Sequence, residues 1–163
     1  MTRSRSSLAA RVVLDPSLVL QALLCSDDSS RLLRRAWQQG VLCPLVSAES
    51  AAQLVRALAY PPLKLSTDER EELLADYLPY VDAVKLESAV RPVATALEKS
   101  QALLLQLGLQ GNARWIITGC QDLLDWSSRP GRAQRALREQ CTVVDVSSWY
   151  RVLTPGQRDQ LLC

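Results

Sequence analysis

The chain contains no His, so its chemistry has to come from carboxylates, thiols, hydroxyls or a bound metal. A Ser-His-Asp or Cys-His nucleophile, a His-bearing zinc site and an imidazole acid or base are all excluded. Three candidate groups stand beside short apolar runs. Asp15 closes Ala10–Leu14, while Cys120 and Asp122 follow Trp115–Thr118. Each also has a structural reading. Asp15 precedes Pro16 and can cap a helix, a role worth roughly 1 kcal/mol. On that reading alone, Asp15→Asn is close to neutral for folding, because Asn also caps. Asp122 suits the first turn of a helix, where the dipole favours a carboxylate. Cys120 sits just inside a predicted helix N-terminus. It is either a stabilised thiolate or a small filler, and Thr118 and Gln121 read as a T-x-x-Q capping box around it.

These groups must be positioned by the elements around them. Short apolar, β-branched runs predict strands at Ala10–Leu14, Val41–Val46, Asp82–Leu86, Trp115–Thr118 and Thr142–Val146, with irregularity expected at Pro44. Helical periodicity predicts helices over Ser17–Leu24 and Arg31–Gln39, the second stopped by Gly40. A third helix starts at Ser47, with Ala51, Leu54, Val55 and Leu58 on one face. Ser66 and Glu69 form a capping box for a fourth, reaching Tyr77, with Leu73, Leu74, Tyr77 and Leu78 as its buried stripe. Val93–Leu109 is the longest pattern, stopped by Gly111-Asn112. Cys120–Leu124 and Arg132–Gln140 follow, and Leu153-Thr154-Pro155 opens a tail or short helix. Alternating strands and helices indicate an α/β fold with parallel pairing. In such sheets functional groups gather at the carboxyl ends of strands, here Leu14-Asp15, Val46-Ser47 and Thr118-Gly119-Cys120.

Composition narrows the rest. The chain has 163 residues, 48% of them hydrophobic and 22% charged, which fits one globular domain. Its 19 basic and 17 acidic residues leave a net charge of +2, too little to argue for nucleic acid by itself. Cys25, Cys43, Cys120, Cys141 and Cys163 are odd in number and show no C-x-x-C spacing. They read as reduced thiols of a cytoplasmic protein, mostly core filler. Arg3, Arg5 and the apolar residues after them invite a signal-peptide reading, but Asp15, Pro16 and Gln21 break it. No apolar run reaches the roughly 18 residues of a membrane span. The four tryptophans read as core anchors, with Trp126 also a candidate for the rim of a site.

At the three junctions the chain resembles the PIN-domain family, in its bacterial toxin-antitoxin branch. The segments that carry the resemblance are V-V-L-D-P-S at Val12–Ser17, S-A-E-S-A-A-Q-L-V-R-A-L-A-Y-P-P at Ser47–Pro62 and L-S-T-D-E-R-E-E-L-L at Leu65–Leu74. W-I-I-T-G-C-Q-D-L-L at Trp115–Leu124 and Val152-Leu153-Thr154-Pro155 complete the set, in the family's order. The resemblance implies a PIN-like three-layer α/β fold with a four- or five-stranded, mainly parallel sheet. Residues 1–9 are then a flexible N-terminus and 10–163 a single PIN-like domain. It also implies a metal-dependent ribonuclease, in which clustered carboxylates hold Mg²⁺ or Mn²⁺.

At the family's acidic positions this sequence departs from the pattern. Asp15 matches the first Asp, and Ser17 stands where the family has Asn. Gln53 falls at the helix Glu, Gln101 at the Asp opening the long helix, and Cys120 at the first Asp after Thr-Gly; Asp122 matches the second. Glu49 and Glu98 lie near Gln53 and Gln101 on helical spacing and are candidate substitutes. The expectation is a PIN-like protein with a decayed metal site, impaired in RNA cleavage and acting by binding. The alternative is an active Mg²⁺- or Mn²⁺-dependent ribonuclease using Asp15, Asp122 and Glu49 or Glu98. An unrelated α/β interaction module is a third reading. The resemblance further implies an antitoxin-like partner and a homodimer, with Pro16–Leu24 and Ala48–Ala59 as candidate surfaces. Arg129, Arg132, Arg135 and Arg138 recur every third residue, as a basic ridge for RNA phosphates or an acidic partner, or as a solvated face.

Overall fold

The computed structural model describes residues 9–87 and 98–162. The sequence expectations for Met1–Ser7 and for Val93–Leu97 lie outside them. The elements run β1 (Ala10–Leu14), α1 (Pro16–Leu24), α2 (Asp28–Gln38), β2 (Leu42–Val46), α3 (Ala48–Leu58), α4 (Thr67–Ala75) and β3 (Asp82–Ala83). Then come α5 (Lys99–Gln110), β4 (Trp115–Ile117), α6 (Gln121–Ser128), α7 (Arg132–Gln140), β5 (Thr142–Val144), α8 (Val146–Arg151) and α9 (Pro155–Leu162). The five strands form one parallel sheet in the order β3-β2-β1-β4-β5. This is the expected α/β PIN-like fold.

The continuous apolar character of the strands has a direct cause: both faces of the sheet are covered. Successive side chains alternate between faces. Val12, Leu14, Trp115 and Ile117 join one core with Val19, Leu33, Trp37, Leu54 and Trp149. Val13 and Ile116 join the other, with Leu104, Leu105, Leu107, Leu123 and Leu137. The sheet is therefore sandwiched, with α1, α2, α3, α8 and α9 on one side and α5, α6 and α7 on the other. All four tryptophans are buried. Trp126 packs in the second core and so offers no rim for a ligand. Trp37 donates its indole N–H to the Asp76 carbonyl at 3.0 Å and meets Tyr77 edge-on.

Three local expectations change. Pro44 sits in a regular strand, paired with Val12. The Val46 carbonyl bonds toward β3, so Pro44, two residues earlier, also turns its missing N–H toward that side. Pairing with β3 begins only at Leu45, so no ladder hydrogen bond is lost. Leu78 is 40% exposed, because α4 ends at Ala75 and the chain turns at Leu78–Tyr80, taking Leu78 out of the stripe. The Ser66–Glu69 capping box itself is present. The last strand stops at Val144 instead of Val146. Asp145 accepts from the Ser148 N–H at 2.7 Å and starts α8, which buries Trp149 and leads into α9.

The Ser148 hydrogen bonds hold the Asp145 carboxyl below its ordinary value of 3.8. A depressed carboxyl stabilises the fold above its unfolded pKa, and that contribution is lost as pH falls through the folded value. Asp145→Ala is expected to cost about 1 kcal/mol at pH 7. The gap from the native protein should close as pH falls from about 4 downward, read by urea unfolding at a series of pH values.

Candidate active site

The three junctions meet at one edge of the sheet because β1, β2 and β4 are parallel and lie side by side. Asp15 follows β1, Ser47 follows β2, and Thr118 to Cys120 follow β4. The Asp15 N–H bonds the Ile117 carbonyl at 3.0 Å, and the Thr118 N–H bonds the Val144 carbonyl at 3.0 Å, so the strand ends are locked in register.

Asp15 is at once the cap of α1 and part of this edge. Its Oδ1 accepts from the Ser17 N–H at 3.1 Å and the Ser17 hydroxyl at 2.9 Å. Its Oδ2 accepts from the Thr118 hydroxyl at 2.7 Å. Thr118 is fully buried, and its Oγ1 in turn accepts the Cys120 N–H at 3.0 Å. The expected Thr118–Gln121 capping box is therefore absent. Thr118 belongs to Asp15 instead, and the Gln121 amide donates to Asp125 at 2.7 Å. Sequence reading missed this link between β1 and β4. The signal was a hydroxyl residue at the last inward position of a strand ending beside Gly119.

Gln101 and Cys120 come together. The Gln101 amide donates to the Cys120 sulfur at 2.9 Å, and its Oε1 accepts the Glu98 N–H at 3.3 Å. Gln101 lies in the first turn of α5 and Cys120 at the N-cap of α6, so two helix starts face each other across the edge. Gln53 is partly buried in the middle of α3 and makes no hydrogen bond to Asp15, Gln101 or Cys120. Glu49 is exposed and pairs with Arg56 at 3.2 Å. Glu98 and Asp122 are exposed at the starts of α5 and α6. Arg129 at the end of α6 and Arg132, Arg135 and Arg138 on α7 are all exposed, and none has an ion pair among the described residues. Cys43 and Cys141 are buried free thiols and Cys25 is exposed. Burial pushes the Cys141 thiol up to about 12.

A model of the PIN domain matches residues 11–121 of this chain. The chain belongs to the PIN-domain family. The matched stretch contains Asp15, Gln53, Gln101 and Cys120 and ends one residue before Asp122. A similar fold appears in the crystal structure of VapBC2 from Rickettsia felis bound to a DNA fragment from their promoter. That match has a TM-score of 0.53 and 10% identity, and covers 82% of this chain and 98% of the other. At that identity the likeness is one of fold. No curated protein sequence matches the chain.

PIN domains are generally Mg²⁺- or Mn²⁺-dependent nucleases, so the donor set has to be tested against such an ion. Hard divalent cations are held by several oxygen ligands, carboxylates foremost. Among the described residues no three His, Cys, Asp or Glu side chains stand close enough to share a metal. Asp15 is the carboxylate at this edge, and the Gln101–Cys120 pair adds an amide and a sulfur where further carboxylates would be needed. These residues do not fit a resident Mg²⁺ or Mn²⁺.

The Asp15–Thr118 bond also changes the expectation for Asp15→Asn. An Asn amide in place of Oδ2 cannot accept the Thr118 proton, so a buried hydroxyl loses its acceptor. The substitution is expected to cost about 1–2 kcal/mol. Thr118→Val, which strands both Asp15 Oδ2 and the Cys120 N–H, should cost about 1–3 kcal/mol. The double variant should cost less than the two together. Urea unfolding of the four proteins checks this, and strictly additive losses would contradict the coupling.

Proposed function

We propose that this PIN domain has a decayed metal site, is impaired in RNA cleavage and acts by binding. The observation that carries this reading is the Gln101–Cys120 contact. It lies where the family resemblance aligns two metal-binding Asp residues, and it joins an amide to a sulfur in place of two carboxylates. A Gln carbonyl offers a hard cation an oxygen without a carboxylate's charge, and a cysteine sulfur offers it no oxygen at all. Asp122, Glu49 and Glu98 remain as carboxylates, but in this reading they are solvated side chains outside any cluster.

Three features support a binding role of the toxin-antitoxin kind. The fold is similar to that of a chain from VapBC2, which favours a partner protein related to an antitoxin. The row Arg129, Arg132, Arg135 and Arg138 supplies positive charge with no ion pair to neutralise it among the described residues. Arg129 caps the end of α6, so the expected single ridge is split. On α7, steps of three residues advance about 60° round the helix, and Arg132, Arg135 and Arg138 wind across it, which suits an extended anion such as RNA or an acidic segment. Leu24 on α1 and Val55 on α3 are exposed apolar residues that fit a partner or a second copy.

The test is cleavage of a mixed single-stranded RNA panel in Mg²⁺ or Mn²⁺ by native protein and Asp15→Asn. The reading predicts no cleavage above background, and no dependence on Asp15. Metal-dependent cleavage lost in Asp15→Asn would overturn it in favour of an active ribonuclease using the remaining carboxylates.

A further inference from the structure

We infer that the groove between α2, α8 and α9 is a binding site for a small amphipathic anion, an apolar body carrying one carboxylate or phosphate group. The groove encloses about 580 Å³, within the range of roughly 300–1,000 Å³ typical of small-molecule sites. It shares no residue with the Asp15 edge or with the α7 arginine row, so it is independent of the reading above.

Its lining divides into two kinds of surface. Leu32, Val146 and Leu161 give the apolar part. Arg31, Arg35 and Arg151 line it as well, against one lining carboxylate among the described residues, Asp28. Asp27 and Asp145 lie outside the lining but within Coulombic reach of Arg31 and Arg151. The groove is thus apolar with a net positive charge, and an amphipathic anion complements both.

The three guanidinium groups are available. Arg31 and Arg151 make no ion pair and donate no side-chain hydrogen bond among the described residues. Arg35 is positioned, because one nitrogen donates to the Leu161 carbonyl at 2.8 Å. That bond ties the last turn of α9 to α2 and leaves the other donors of a five-donor group. Guanidinium forks match carboxylate and phosphate oxygens in pairs, with bonds about twice as strong as neutral ones. The framework is firm beneath: Trp149 is fully buried and anchors α8, and Leu161 is 1% exposed and anchors α9.

The experiment is a protein-observed NMR titration with decanoate, decyl phosphate and decanol, repeated on Arg31→Gln/Arg151→Gln. Decanoate or decyl phosphate should bind saturably, shifting the signals of Leu32, Val146 and Leu161, and the tighter of the two identifies the head group. Decanol and the double variant with either anion should each be about tenfold weaker or more, with the variant's Tm unchanged. Four results would overturn the inference. They are no saturable binding at about 1 mM ligand, decanol as tight as the anions, the double variant as tight as native protein, and shifts confined to residues outside the groove.

Discussion

A parallel sheet joined by helical crossovers must be covered on both faces, and the rest of this molecule follows from that requirement. Val12 and Leu14 face one core and Val13 the other, and β4 repeats the alternation with Trp115, Ile116 and Ile117. With both faces closed, polar side chains reach the sheet only at its ends. The carboxyl ends of β1, β2 and β4 are neighbours, so Asp15, Ser47 and Thr118 are delivered to one edge. The Asp15–Thr118 bond at 2.7 Å then joins the two central strands. The same carboxylate that caps α1 thereby fixes the geometry of the edge.

The electrostatics of that edge follow from which side chains occupy it. Several carboxylates converging on one point repel each other and raise one another's pKa, and a bound cation offsets the cost. Here Gln101 donates to Cys120, and Asp15 is satisfied by hydroxyls and a backbone N–H. Such an edge is stable without an ion. On the proposed reading, the same neutral side chains that spare the edge this repulsion also leave it a poor holder of a hard cation. The α7 arginines and the groove beside α9 lie on other elements than this edge.

Much of this was readable from the chain, for physical reasons. Asp15-Pro16 marks a strand-to-helix junction because the two residues serve cap and first turn, and α1 begins there. Ser66 and Glu69 announce α4 through a local hydrogen-bond pair. What escaped depends on contacts remote in sequence. Thr118 looked like a local cap, but its partner is Asp15, 103 residues away. Pro44 looked disruptive because the starting point of β3 pairing is not written in β2. The start of α8 was hidden because Val143 to Val146 reads as strand until Asp145 captures Ser148. The groove joins Arg31 to Leu161, and no periodicity along the chain brings those residues together.

The central claim is that the family frame persists while the charge needed for a metal has been removed. The most direct test is calorimetric titration of Mn²⁺ into native protein and into a variant carrying Gln53→Glu, Gln101→Asp and Cys120→Asp together, with folding of both verified by circular dichroism. The account predicts saturable Mn²⁺ binding by the triple variant and at least about tenfold weaker binding by the native chain. A folded triple variant that binds Mn²⁺ no better than native protein would contradict it.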